Sequence, residues 1–342
     1  MPTINSGGAE KQAVLLSTLL SKNYIVNLII LYGKSPEYNQ NIESLLRSNV
    51  NVYRLYGNLF SKIRKIRLIL IESKTQVLFN YLSFPDFIGS YLGNRLCIRS
   101  YNGIRTTTLG VGKEMFERFA HNHWTTGTIF NSFSGCSYFT KHGFDVQKSF
   151  VIPNGFSGIC DITCREEKCI KTIISVGRFD PAKDYKTLIR SVACLDRNDY
   201  RLCIVGYGLL EKQIRGWVKE FGIESKTDIV IKPDNVLDLE KNADIYLSTS
   251  LFEGTSNSIM EALNCSLPIV ATKVGDNDRL VIDGKNGYLH PIGDVVGLSH
   301  SLNRLLDSLT LRNEMGKMSN RILKENYSID LFEKRYVDLI EK

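Results

Sequence analysis

Short apolar runs alternate with amphipathic stretches along the whole 342-residue chain. Such a chain folds as βα units around parallel sheets. The expected strands of the first half cover residues 25–31, 50–55, 77–81, 96–99, 127–131 and 149–152, and those of the second half 171–176, 201–205, 228–231, 245–248 and 268–272. A polar stretch, 154–168, separates the two series and reads as a linker. The length exceeds what one core usually serves. The expected architecture is therefore α/β, with two doubly wound Rossmann-like domains facing a central crevice: 1–155, 156–325, and a closing segment 326–342. Open parallel sheets bind ligands at the carboxyl ends of their strands, so the chemistry belongs in that crevice.

The net charge of +7 is unevenly placed. Residues 1–155 hold 17 Lys and Arg against 8 Asp and Glu, a net of +9, while the remainder comes to −2. The first half thus suits an anionic partner, either a membrane face or a phosphorylated acceptor. Lys62, Arg64, Lys65 and Arg67 lie among Leu59, Phe60, Ile63, Ile66, Leu68, Ile69 and Leu70, a pattern that fits a helix lying on anionic lipid or one packed in an α/β layer with a solvated basic face. No nucleic-acid recognition motif accompanies the charge. No apolar run reaches the roughly 18 residues that span a bilayer, and no secretory pattern opens the sequence. The expected location is cytoplasmic, peripheral on the inner face of the membrane if the basic helix binds lipid. Eight cysteines, among them Cys97, Cys194 and Cys203 in apolar patterns, read as reduced core residues. Cys160, Cys164 and Cys169 fit no zinc spacing. His121 and His123 read as surface residues.

Two carboxylates eight positions apart bracket an expected helix start in Phe252-Glu253-Gly254-Thr255-Ser256-Asn257-Ser258-Ile259-Met260-Glu261. Thr255 or Ser256 is expected to cap the helix and Gly254 to turn the backbone, so that bare amides and the positive dipole end meet a ligand phosphate. Glu253 in the loop and Glu261 about 9 Å further along the helix, at roughly 1.5 Å per residue, can bracket an extended molecule with a diphosphate between them. A capped surface helix with two solvated glutamates fits the same residues. After the strand at 171–176, Arg178 and Lys183 combine a planar fork with a mobile point charge, which suits a diphosphate. Gly206-Tyr207-Gly208 lets backbone approach a ligand. Gly7 and Gly8 at the start of an amphipathic helix make a second anion-facing end. A βα unit needs an apolar strand before that loop, so the natural reading frame is expected to begin 6 to 10 residues upstream, and a chain extended by that strand to melt higher.

With these residues together, the sequence resembles retaining glycosyltransferases of the GT-B class, family four. The resemblance spans nearly the whole chain and includes Asn5-Ser6-Gly7-Gly8-Ala9-Glu10, Ile152-Pro153-Asn154-Gly155, Leu267-Pro268-Ile269-Val270-Ala271-Thr272, Val274-Gly275-Asp276-Asn277 and Asp283-Gly284-Lys285-Asn286-Gly287. It implies that Arg178 and Lys183 bind the donor diphosphate, Glu253 the transferred sugar and Glu261 the ribose, and that residues 329–340 cross back to the first domain. Where many relatives have a histidine, this chain has Ser100-Tyr101-Asn102-Gly103, leaving Asn102 as a contact to sugar or acceptor. Asp278-Arg279 stands where the usual glutamate would follow Gly275. The expected reaction uses a nucleotide-sugar donor, a UDP-sugar by resemblance, and a glycan or lipid-linked oligosaccharide acceptor, without metal or other cofactor. Attack from the front face, with the departing phosphate oxygen taking the acceptor's proton, preserves configuration, and groups aimed at the diphosphate stabilise the transition state. A hydrolysing nucleotide-sugar 2-epimerase and a catalytically silent nucleotide-sugar-binding subunit share the same features.

Overall fold

Met1–Gly155 and Ile329–Lys342 form one unit, and Phe156–Ser328 the other. The computed structural model describes residues 1–5, 7–35 and 37–342, without the side chain of Ser83; Ser6 of the opening motif lies outside the described residues.

Unit 1 runs α1 (Gly8–Leu20), β1 (Val26–Ile30), α2 (Asn39–Leu46), β2 (Val50–Arg54), α3 (Leu59–Glu72), β3 (Val77–Phe79), α4 (Ser83–Leu96), β4 (Arg99–Ile104), α5 (Val111–His123), β5 (Gly127–Phe130), α6 (Phe133–Lys141) and β6 (Ser149–Val151). All its strand pairs are parallel, but they form two sheets, β1-β2 and β3-β4-β5-β6. The fourth strand departs from expectation. Leu96 ends α4, Cys97 turns the backbone in the left-handed region at φ 54°, and the strand occupies 99–104 instead of 96–99. Its Asn102 tolerates burial because it is hydrogen-bonded inside the unit. Asn102, fully enclosed, accepts at Oδ1 from Asn80 Nδ2 (2.9 Å) and Ser90 Oγ (2.8 Å) and donates to Glu117 Oε2 (3.4 Å).

Unit 2 continues with β7 (Lys171–Arg178), α7 (Tyr185–Ala193), β8 (Tyr200–Tyr207), α8 (Glu211–Glu220), β9 (Thr227–Ile231), α9 (Val236–Asn242), β10 (Ile245–Ser248), α10 (Asn257–Asn264), β11 (Ile269–Thr272), α11 (Asn277–Leu280), β12 (Gly287–His290), α12 (Val295–Asp307) and α13 (Leu309–Tyr327). Its six parallel strands lie in the order β12-β11-β10-β7-β8-β9. Every residue of β10 and β11 is buried, as expected for strands covered on both faces. One face packs Leu188, Ile214 and Leu302 of α7, α8 and α12; the other packs Ile259, Leu263 and Leu323 of α10 and α13. This is a doubly wound sheet, and β12, four residues long, is a strand the apolar runs did not announce.

A last helix, α14 (Ile329–Ile340), belongs to unit 1, where Phe332, Tyr336 and Leu339 join the core of α1 and Tyr101. The polar stretch read as a linker is instead anchored on unit 2. Buried Arg165 donates to the carbonyls of Ala243 (2.6 Å), Ser266 (2.5 Å) and Cys265 (2.9 Å). All eight cysteines are free thiols, yet Cys97 and Cys194 are exposed, so only Cys203 of the three expected core thiols is buried. His121 corrects a second expectation, being fully buried with Thr128 Oγ1 at 2.8 Å and the Asp145 carbonyl at 3.0 Å from its ring nitrogens. The apolar face of α5 carries it inward, and hydrogen bonds at both nitrogens make burial tolerable.

Candidate active site

In unit 2 the strand order reverses between β7 and β10, and ligands of doubly wound sheets bind outside the carboxyl ends at that point. The loop after β7 carries Lys183 and the loop after β10 carries Glu253. The structure joins them: Lys183 Nζ donates to Glu253 Oε1 at 2.5 Å, with both side chains largely enclosed.

Both loops are held by main-chain and side-chain hydrogen bonds. Asp180 Oδ1 accepts from the Ala182 amide, Leu251 N donates to the Ala182 carbonyl, and the Thr249 hydroxyl bonds the carbonyls of Lys183 and Asp184. Asp184, at φ 44°, caps α7 through the Thr187 amide. The Lys183 stem lies over Gly177, where a Cβ would stand 3.2 Å from Lys183 Cε. On the other loop Ser250 Oγ donates to Glu253 Oε1 at 2.8 Å, and Thr272 Oγ1 fixes the Ser250 carbonyl at 2.6 Å. Gly275, at φ 53°, presses on this loop so closely that a Cβ would lie 2.1 Å from the Glu253 carbonyl oxygen; no other residue fits there. Ser250 was not anticipated, since a lone serine at a strand end carries no pattern.

Helix α10 starts directly after. Ser256, in the N-cap position, pairs with Ser258 Oγ (3.2 Å) without the expected side-chain cap bond, while Thr255 Oγ1 donates to Asp276 Oδ2 (3.2 Å). Gly254 accepts from the Asp276 amide through its carbonyl (3.2 Å). Glu261 is exposed on the second turn. Arg178, 77% exposed, ends β7 beside Asp180 at 3.3 Å.

The chain that carries this site is similar to known proteins. Residues 166–321 match the family described as glycosyl transferases group 1. The N-acetylgalactosamine-N,N'-diacetylbacillosaminyl-diphospho-undecaprenol 4-alpha-N-acetylgalactosaminyltransferase of Campylobacter jejuni is 32% identical over 335 residues, covering 91% of this chain and 90% of the relative. The chain belongs to the group 1 glycosyltransferases. A second enzyme of Campylobacter jejuni, GalNAc-alpha-(1->4)-GalNAc-alpha-(1->3)-diNAcBac-PP-undecaprenol alpha-1,4-N-acetyl-D-galactosaminyltransferase, is 24% identical across 99% of this chain and 96% of its own. Anabaena HepE, solved in complex with UDP, superposes with a TM-score of 0.84 at 17% identity, covering 99% of this chain and 98% of HepE. The galactosyltransferase WaaB superposes at 0.80 and 16%, covering 99% of this chain and 97% of WaaB. These likenesses establish the fold as GT-B.

Other expected positions of this glycosyltransferase stand differently. Gly206 in β8 and Gly208 just after it press on β7 and the residue that follows it: added Cβ atoms would meet the Gly177 carbonyl at 1.9 Å and the Phe179 carbonyl at 2.6 Å. Strand packing alone demands glycine at both. Gly7 precedes and Gly8 begins α1, both exposed, with the Glu10 carboxylate folded over Gly7. Asn102 does not reach solvent; its amide is used up within unit 1, so the contact expected of it is withdrawn.

Glu240 on α9 is a group sequence reading missed. It is 1% exposed, and its Oε1 has no hydrogen-bond partner among the described residues. Burial, with the Glu261 charge adding, pushes its carboxyl from 4.5 up to about 8. The folded state therefore holds this proton more tightly than the unfolded state, and the stability it contributes below pH 4.5 is lost as pH rises through about 8. Denaturant unfolding from pH 5 to 8.5 is expected to show stability declining, and Glu240→Gln to flatten the decline; an equally steep decline in the variant would contradict the assignment.

Proposed function

We propose that this glycosyltransferase belongs to the retaining family four and moves a sugar from a UDP-sugar to a glycan or lipid-linked oligosaccharide in cell-surface polysaccharide assembly. The Lys183–Glu253 pair at the switch point carries the reading. When the donor enters, Lys183 turns with Arg178 to the diphosphate and Glu253 is released to the hydroxyls of the transferred sugar. The first-turn amides of α10 take phosphate oxygens, and Glu261 holds the ribose. Charge that grows on the departing diphosphate then meets fixed cations and a helix end. The acceptor hydroxyl attacks from the leaving-group side and gives its proton to the departing phosphate oxygen, so configuration is retained. The UDP complex of HepE supports uridine as the base. The undecaprenol-linked acceptors named for both Campylobacter jejuni relatives support a lipid-linked acceptor.

The test is a panel of nucleotide sugars, scored first by thermal stabilisation and then by transfer to a polyprenyl-diphosphate oligosaccharide, with the anomeric configuration of donor and product compared. Transfer with retention, unaffected by EDTA, is the expected result. Donor consumption without acceptor would indicate the epimerase, and binding without turnover a silent subunit.

Among the described residues no helix is long and apolar enough to cross a membrane. Membrane contact is proposed through the surface of unit 1. On α3, Ile66 and Leu70 pack inward while Phe60, 80% exposed, stands with Leu68, Ile71, Arg64, Lys65 and Arg67 on the outer side. A stripe of Val111, Met115 and Phe119 on α5 is likewise exposed. Combined apolar and basic exposure suits an anionic bilayer. Flotation with phosphatidylglycerol vesicles is expected to capture the protein at low salt and to lose it, by about 10²-fold or more, in the Arg64/Lys65/Arg67→Glu variant at about 1 kcal/mol per charge; capture indifferent to anionic lipid would contradict this.

A further inference from the structure

Glu240 lies in the contact between α9 and α10, on the buried side of the glutamate assigned to the ribose. Ser258, Glu261 and Cys265 of α10 are spaced three and four residues apart, so they share one face of that helix. Glu240 meets the Glu261 carboxylate and the Cys265 thiol of that face. Tyr246 of β10 completes the group: buried, its hydroxyl donates to the Val176 carbonyl (3.1 Å) and meets the Ser258 hydroxyl. Strand β7, which also packs against α9, contributes the apolar Ile174 and Val176. Lys241 is exposed, and Arg165 is committed to three carbonyls, so neither pairs with Glu240. Burial raises the Cys265 thiol to about 12 and takes the Tyr246 phenol well above its ordinary range. Among these groups Glu261 is the one anion that Glu240 meets.

A buried carboxyl with one oxygen lacking a partner gives the fold nothing that an apolar side chain would not supply better. It can, however, set the charge behind Glu261. While Glu240 keeps its proton, the Glu261 carboxylate is the only charge of the group and is free to accept from two neighbouring hydroxyls. Once ionised, Glu240 places a second anion across a dry helix contact, where like charges oppose each other strongly. A nucleoside diphosphate covers the exposed side of Glu261, takes water from both carboxyls and brings negative charge of its own. Each of these effects favours the proton on Glu240.

We propose that Glu240 is a positioning residue for the donor's ribose, its proton keeping the Glu261 carboxylate presented to the two hydroxyls, so that the enzyme takes up a proton as it binds a nucleoside diphosphate. The inference rests on Glu261 being the ribose ligand, as proposed above. In the free protein, burial and the Glu261 charge push the Glu240 carboxyl up to about 8, and the bound donor pushes it further. Affinity is therefore full below about pH 7 and is lost as pH rises through about 8 toward 9.

Isothermal titration of UDP into the full chain from about pH 6.5 to 9, in two buffers of different ionisation enthalpy, tests this. The parent is expected to take up about half a proton near pH 8 and to lose about 10-fold in affinity across the range relative to Glu240→Gln, which binds like the parent at pH 6.5. Comparison with the variant removes the titration of UDP itself. Equal proton uptake and parallel pH profiles in the two proteins would overturn the proposal, and absence of uptake by the parent near pH 8 would do so without the variant. Glu261→Ala separates the inference from the reading beneath it, with a loss of at least about 10-fold in UDP affinity expected at pH 6.5. Undiminished binding would overturn the ribose assignment and this proposal together; weakened binding, with parallel profiles for the parent and Glu240→Gln, would overturn the proposal alone.

Discussion

Replacing Lys183 with alanine is expected to lower turnover by about 10²-fold or more, which corresponds to roughly 2.7 kcal/mol of transition-state stabilisation. The effect is large because Lys183 does two things. In the free enzyme its ammonium sits 2.5 Å from Glu253 Oε1, and in the donor complex it meets the diphosphate as charge accumulates there. An interaction that strengthens during the reaction lowers kcat, whereas uniform binding alone moves KM. Removing the ammonium also leaves Glu253 without its cation, held by Ser250 Oγ alone among these bonds. Lys183→Arg retains the charge on a wider, planar head above Gly177 and is expected to recover only part of the loss. Steady-state kinetics with saturating donor reads the effect; kcat within twofold of the parent would remove Lys183 from the chemistry.

The largest stability effect is expected at Arg165. Its guanidinium, pushed below its ordinary pKa by burial, donates to three backbone carbonyls that end α9 and follow α10. Alanine would leave all three buried acceptors without a donor, and such losses cost about 3–5 kcal/mol together. In a unit of this size the matching fall in Tm is about 10 °C. Lysine has one nitrogen and cannot span three carbonyls, so Arg165→Lys is expected to lose more than half as much. Differential scanning calorimetry of both variants decides the matter, and a fall under about 2 °C for alanine would mean that water replaces the guanidinium freely.

The contrast between these two residues shows what a sequence discloses. Lys183 and Glu253 were legible because each follows a buried apolar strand in a chain of βα units, and ligands of such sheets gather at strand ends. Arg165 was not, since a polar irregular stretch looks the same whether it floats free or is bonded at every turn. Asn102 misled for a related reason: a polar residue after an apolar run suggests a loop, but a closed hydrogen-bond set with Asn80, Ser90 and Glu117 lets the strand continue through it. His121 and Glu240 were missed because burial depends on which helix face meets the sheet. Gly206 and Gly208 were read as making room for a ligand, although strand packing against Gly177 and Phe179 already requires them.

The central claim is that the carboxyl ends of β7 and β10 with the start of α10 hold a nucleoside diphosphate. A crystal structure of the protein with UDP tests it most directly. The diphosphate is predicted to lie within about 4 Å of Lys183 and Arg178, the distance of a direct ion pair, with the ribose hydroxyls on Glu261. UDP bound elsewhere, with the Lys183–Glu253 pair undisturbed, would contradict the account.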